Sequence, residues 1–177
     1  MLEHTAANEL GRLTRSPSQT QRYLRWRNKI AEHYGNITGF LVKDRLQWTP
    51  KPNADPTAGP TFEYRNENFF VDPSDFKILL NDWPYGMDPG IWHIVIWTKT
   101  PIPVDPEIGD LTDQSRAVIN EYVNRVFRQR INEEKPGDKV LWFKNWIALQ
   151  SVRGIDHVHI LVRDVEDDVI KEWIGKT

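Results

Sequence analysis

Apolar positions recur with two periods along the chain, and each period marks its own kind of element. The clearest is helical: Ile119, Tyr122, Val123, Val126, Phe127 and Ile131 return every three or four residues behind Thr112, a capping residue, and Pro136-Gly137 ends the run. A second helix is predicted from Ser16 to about His33. There Ser16-Pro17-Ser18-Gln19 supplies an N-cap, a proline at the first helical position and a capping box. Tyr23, Trp26, Ile30 and Tyr34 form its apolar side. The cap chemistry of Asp72-Pro73-Ser74-Asp75 predicts a short helix through Leu80, and a last helix is expected from about Glu166 to Ile174.

The other period is two. Ile91 to Trp97 reads as a strand with His93, Val95 and Trp97 on one face and Trp92, Ile94 and Ile96 on the other, both faces substantially buried. Val140 to Trp146 and Asp156 to Val162 read as two more strands, joined by a loop containing Ser151, Arg153 and Gly154. Four prolines, Pro50, Pro52, Pro56 and Pro60, make residues 49–60 a loop, and the stretch Asn81 to Gly90 is dense in turn formers and aromatics.

Strand, long helix, strand, strand predicts an α+β fold: a single domain whose antiparallel or mixed sheet is covered by the long helix. Residues 1–60, the basic helix and Pro-rich loop, are expected to extend the same domain, and residues 61–177 to form its core. A length of 177 residues suits one core, since single domains run to roughly 100–200 residues. Hydrophobic residues at 39% and charged residues at 27% mark a globular chain. No apolar run approaches the roughly 20 residues of a membrane span. Met1 to Leu13 lacks the apolar segment of a secretion signal, so a soluble, cytoplasmic protein with no membrane partner is expected.

With no cysteine, disulfides, a thiolate nucleophile and thiolate zinc are excluded, and any nucleophile or base must come from other side chains. The net charge of −2 is unevenly spread. Arg12, Arg15, Arg22, Arg25, Arg27 and Lys29 fall in an acid-free segment, while acidic residues gather from Asp164 to Asp168. On the first helix, Arg22, Arg25 and Lys29 make a ridge that faces solvent or a partner.

The chemistry centres on Asp156-His157-Val158-His159. Alternation puts His157, His159 and Leu161 on one face, with the two imidazoles roughly 7 Å apart at the usual strand rise. Both rings can then serve one substrate, one as base or nucleophile and the other as donor. The plain alternative is a pair of half-buried structural histidines. No third ligand follows from the spacing, so no metal and no cofactor are expected. Trp92 and Trp146 are expected in the core and His93 in a structural role, while Trp83 and Trp97 are candidates for a pocket.

The stretch from about Asp75 to Asp164 resembles a diverged histidine-triad domain. Pro89-Gly90-Ile91-Trp92-His93 resembles that family's strand after a Pro-Gly turn, Gly109-Asp110-Leu111-Thr112 its helix start, and Asn145 its asparagine. Spacing from Asn145 places His157 at the nucleophilic histidine and His159 at the last, with Ile155 replacing the first. More of the chain resembles the fungal N-acetylglucosamine-induced protein family, through Asp82-Trp83-Pro84-Tyr85-Gly86, Trp97-Thr98-Lys99, Gly109-Asp110-Leu111-Thr112, Trp142-Phe143-Lys144-Asn145-Trp146 and Asp156-His157-Val158-His159.

That second resemblance implies an arginine-containing cyclodipeptide synthase, an aminoacyltransferase fed by arginyl-tRNA and a second aminoacyl-tRNA. On this reading His157 is the base or transient acyl acceptor, His159 the donor, and Lys144 or Asn145 assists at the oxyanion. Asp82 and Asp88, flanking Trp83 and Tyr85, would receive the guanidinium, and Asp156 could orient an imidazole. The six basic residues would hold RNA phosphates. Two alternatives stay open: a histidine-triad-like phosphoramidate or dinucleotide hydrolase or nucleotidyl transferase, and a non-catalytic RNA-binding module. Oligomeric state is not addressed by the sequence.

Overall fold

The computed structural model describes residues 16–52, 59–84, 86–146, 150, 152 and 154–175. Four antiparallel strands form one sheet in the order β1-β2-β4-β3, where β1 is Phe76–Leu80, β2 Ile91–Thr98, β3 Val140–Phe143 and β4 His157–Arg163. The chain is therefore a single α+β domain. Among the described residues no helix is long and apolar enough to cross a membrane.

Helix α1, Pro17–Tyr34, begins on the predicted capping box, in which Ser16 Oγ accepts from the Gln19 N–H and the Ser16 N–H donates to Gln19 Oε1 at 3.0 Å. A second, unpredicted helix follows. Asn36 caps α2, Ile37–Phe40, by accepting from the Gly39 N–H, and a wider helical turn continues over Leu41–Leu46. The N-terminal extension is thus more than a basic helix and a loop. Its signal, an Asn cap followed by Ile37, Leu41 and Val42, is too short for periodicity to register.

The expected helix from Asp72 to Leu80 is not formed. Asp72 does cap a single 3-10 turn, Pro73–Asp75, but the buried Asp75 carboxylate turns back to accept from the Arg65 and Asn66 N–H groups. Phe76–Leu80 then pairs with β2 in the register Phe76↔Thr98 to Leu80↔Ile94. Pairing outweighs the cap: Phe76, Ile78 and Leu80 alternate with Lys77 and Leu79, and the first three pack on the main core.

The long helix forms as expected, with Thr112 capping α3, Asp113–Val123, which continues through Asn124–Arg128 and Gln129–Ile131. Its Ile119, Tyr122, Val123 and Phe127 bury against Ile94, Ile96, Val158 and Ile160 of the sheet. Helix α4, Asp167–Ile174, closes this layer through Ile170 and Trp173. On the opposite face Leu41, Val42, Leu46, Trp48 and Phe62 pack on Val95, Trp97, Val152 and Ile155. Both faces of the sheet are covered, and the N-terminal segment covers the one that carries the histidines.

Trp92 packs against the core as expected, whereas Trp146 does not. It lies beyond the end of β3, which stops at Phe143, and is 42% exposed.

Gly154 sits just before β4 with φ +87, and a Cβ there would lie 2.8 Å from Gly59 Cα. Gly109 also has positive φ, but a Cβ on it would meet nothing within 4 Å. Gly154→Ala should therefore cost more than the left-handed strain of Gly109→Ala, which is about 1–3 kcal/mol. At about 2–4 °C per kcal/mol for a chain of this size, thermal melting resolves the two. Equal melting temperatures for both variants would show that the Gly59 approach is not the constraint.

Candidate functional site

Register builds the site. Cross-strand pairing sets Trp97 opposite His157, Val95 opposite His159 and His93 opposite Leu161, so three imidazoles gather on one face of β2 and β4. His93, His157 and His159 are 4%, 3% and 6% exposed. The rings of His157 and His159 lie 5.1 Å apart, centroid to centroid and nearly perpendicular. Trp97 lies 4.3 Å from the His157 ring, and Phe143 stacks on His159 at 4.6 Å.

His157 Nδ1 lies 2.8 Å from the Ile155 carbonyl oxygen. A carbonyl only accepts, so Nδ1 carries the proton and Nε2 keeps its lone pair. His93 Nε2 and His159 Nδ1 share a proton across 2.9 Å, the Asn145 amide reaches His159 Nε2 at 3.3 Å, and Asn81 contacts the His93 ring. Sequence reasoning gave His93 a structural role and did not single out Asn81. The signal for His93 was its shared face with Trp97, but its diagonal contact with His159 depends on register.

Burial pushes the His157 pKa down to about 4, the nearby Lys144 cation lowering it further while the Ile155 carbonyl and Asp156 partly oppose. His159 is held well below the usual imidazole range by burial first, then by His93, His157 and Lys144. Both rings are neutral at pH 7.

Above these rings is a cavity of about 80 Å³ whose lining includes Tyr23, Trp26, Phe40, Asp82, Trp83, Trp97, Asn145, His157 and His159. The aromatic wall is continuous: Trp26 lies 5.2 Å from Trp83 and 5.6 Å from Phe40, and Tyr23 lies 5.7 Å from Trp83. Asp82 supplies the carboxylate at this wall, with Arg45 Nε 3.0 Å from its Oδ2. Among the described lining residues there is no Lys or Arg.

Of the sequence candidates, His157, His159, Asn145, Asp82, Trp83 and Trp97 come together here. Lys144, Asp156 and Asp88 do not line the cavity. Lys144 is buried in an ion pair with Asp156 Oδ1 at 3.0 Å, and Asp156 Oδ2 accepts from the Ile102 N–H. Asp156 faces a separate groove lined by Lys51, Tyr64 and Lys99. Asp88 is exposed in the turn before β2. Arg22, Arg25, Arg27 and Lys29 are exposed on α1, the helix that contributes Tyr23 and Trp26 to the cavity wall. Tyr85, Arg12 and Arg15 lie outside the described residues. Among the described residues no group of three or more His, Cys, Asp or Glu is arranged to hold a metal ion.

The depressed histidines make a pH prediction. An unfolded imidazole titrates near pH 6.5, whereas folded His157 titrates near 4. Between these values the unfolded chain binds a proton that the folded chain refuses. Stability should then fall as pH drops from about 6.5 toward 4, on the order of 1 kcal/mol per pH unit for this one group. Urea unfolding at pH 6.5, 6.0 and 5.5 should show the slope, and His157→Gln should reduce it by about one proton. An unchanged slope in that variant would exclude a neutral buried His157.

Comparison with known proteins places this geometry in a family. The profile described as protein of unknown function (DUF3605) matches residues 1–163. The chain is 32% identical to N-acetylglucosamine-induced protein 1 of Candida albicans over 177 residues, covering 96% of this chain and 68% of that one. It is 28% identical to an uncharacterized protein of Saccharomyces cerevisiae over 156 residues, 88% of this chain and 73% of that one. Among solved structures, the crystal structure of HTC1 superimposes with a TM-score of 0.70 at 25% identity, over 98% of this chain and 90% of that one.

Proposed function

The chain belongs to the DUF3605 family of proteins of unknown function, and on that premise we propose that it is an aminoacyl-tRNA-dependent synthase of arginine-containing cyclic dipeptides. One observation carries the reading. A neutral imidazole with a bare Nε2 lies at the floor of an aromatic pocket that holds a carboxylate and, among its described lining residues, no cation. Its indole faces can stack a planar cation, which would share the Asp82 carboxylate with Arg45. It is poorly suited to phosphate. That weighs against a histidine-triad-like nucleotide hydrolase.

The low basicity of His157 selects its role. Taking a proton from an α-ammonium of pKa about 7.7–8.0 onto an imidazole near 4 is uphill by about 5 kcal/mol. The ring is instead fully unprotonated at pH 7 and serves as acyl acceptor. Its Nε2 attacks the ester carbonyl of arginyl-tRNA, and the ribose oxygen leaves as a hydroxyl. The proton for that hydroxyl comes from the arginyl ammonium. The amine of the second aminoacyl-tRNA, having lost one proton to solvent from its ammonium form, then displaces His157 to form the first amide and sheds a second proton to solvent. The free arginyl amine attacks the second ester, closes the ring and releases the second tRNA.

Outside the pocket, Arg22, Arg25, Arg27 and Lys29 offer an exposed basic ridge on the same helix that walls it. RNA phosphates on that ridge would bring an aminoacyl terminus toward the opening. Asp88, Lys144 and Asp156 have no direct part in this reading.

Purified protein supplied with arginine, a mixture of amino acids, tRNA and synthetases should make arginine-containing cyclic dipeptides, abolished by RNase. His157→Ala should lower product by about 10²–10⁴-fold. Release of ammonia or nucleotide from a phosphoramidate, with no dipeptide, would replace this reading with the hydrolase. For the ridge, Arg22→Glu, Arg25→Glu and Lys29→Glu together should weaken tRNA binding and flatten its salt dependence. Superimposable titrations would remove α1 from the interface.

A further inference from the structure

We infer that Arg45 determines the selectivity of the cavity for a planar guanidinium over a compact ammonium, by holding one oxygen of Asp82 and leaving the other to the ligand. The inference deepens the synthase reading above and rests on it for the identity of the ligand.

Asp82 is the one carboxylate among the described lining residues of the cavity. Arg45 meets it through Nε, 3.0 Å from Oδ2. A guanidinium fork laid side-on would engage both oxygens at once. The single contact leaves Oδ1 with no hydrogen bond among the described residues.

The placement of Arg45 follows from packing. It lies in the wide helical turn Leu41–Leu46, whose Leu41, Val42 and Leu46 are buried in the cluster that also holds Val95 and Trp97. Its neighbour Asp44 accepts from the Tyr34 hydroxyl and ties the turn to α1. The segment that covers the histidine face of the sheet therefore also delivers a guanidinium to the carboxylate at the cavity wall.

A cation that binds Oδ1 meets a carboxylate whose charge Arg45 already offsets, with a like charge beside it. The side chains of Arg45 and Asp82 are 33% and 40% exposed, so water and salt weaken that repulsion without removing it. An ammonium feels it most. It is a compact, strongly hydrated point charge, and it would give up water for one hydrogen bond at Oδ1. A guanidinium spreads its charge over a plane, holds its water less tightly and can set its face against the indole wall of Trp26 and Trp83 while its edge donates to Oδ1. Arg45 thus opposes the ammonium more than the guanidinium. Without it both oxygens of Asp82 would be open, and the charge that the two ligands share would weigh more than the shape that separates them.

Isothermal titration calorimetry of the full-length protein with N-acetylarginine methylamide and N-acetyllysine methylamide, each a single cation, reads this preference directly. Wild type should bind the arginine derivative more tightly, and Asp82→Asn should weaken both. Arg45→Gln should tighten the lysine derivative by about three- to fivefold and the arginine derivative by less than about twofold, within the range of an exposed ion pair. Arg45→Lys keeps the charge and should hold the lysine derivative within about twofold of wild type. Raising salt from about 50 to about 500 mM should narrow the wild-type preference, a reading that needs no variant. Weaker binding of the arginine derivative by Arg45→Gln would make Arg45 a builder of the pocket and overturn the inference. So would an unchanged ratio of the two affinities, or a wild type that does not prefer the arginine derivative. If the ratio shifts as stated and no cyclic dipeptide forms, the selectivity assignment stands and the synthase reading fails; if dipeptides form and Arg45→Gln leaves the ratio unchanged, the synthase reading stands and the role of Arg45 falls.

Discussion

Everything at the site depends on the pairing of β2 with β4. Seven residue pairs run from Ile91↔Arg163 to Trp97↔His157. A slip of one residue would turn His157 and His159 into the α3 core and Val158 and Ile160 toward the pocket. The register is held because one face packs Ile94, Ile96, Val158 and Ile160 against α3 and the other packs Val95 and Trp97 against the N-terminal segment. Neither set can be exchanged without burying imidazoles among apolar side chains.

Burying three imidazoles together imposes a second constraint, on charge. A protonated ring here would be desolvated beside Lys144 and, for His159, beside two more rings. Neutrality removes that cost, and neutral rings are satisfied by donating to one another and to backbone. The cation that acts on these rings, Lys144, is held by Asp156 rather than aimed at the cavity. Its electrostatic effect on the histidines reaches the site although its side chain does not line it. Acid chemistry is thereby disfavoured, and a nucleophile that needs no deprotonation is favoured.

The parts of this arrangement legible in the sequence were those set by local period and caps. Alternation alone placed His157 and His159 on one face, and the Thr112 and Ser16 caps located α3 and α1. What was not legible was set by tertiary pairing. Phe76–Leu80 had helix-start chemistry before it and a strand partner 14 to 22 residues ahead, and the partner prevailed. His93 sat on an alternating strand with no mark to separate it from a core histidine until β4 was laid beside it. Lys144 and Asp156 were readable as charged residues near the histidines but not as each other's partner, because their contact crosses from the end of β3 to the start of β4.

The two walls of the pocket differ in how firmly they are held. The floor is strand backbone paired on both sides and packed on both faces, with His93, His157 and His159 each over nine-tenths buried. The outer wall is α1, 18 residues long with none fully buried, touching the rest through half-buried Tyr23, Trp26, Ile30 and Tyr34. Local opening is easiest where least apolar surface is buried. A substrate larger than the cavity therefore meets least resistance by displacing α1, while the imidazoles that would act on it stay in register. Because the basic ridge lies on that same helix, a polyanion bound there would load the outer wall and leave the histidine floor untouched.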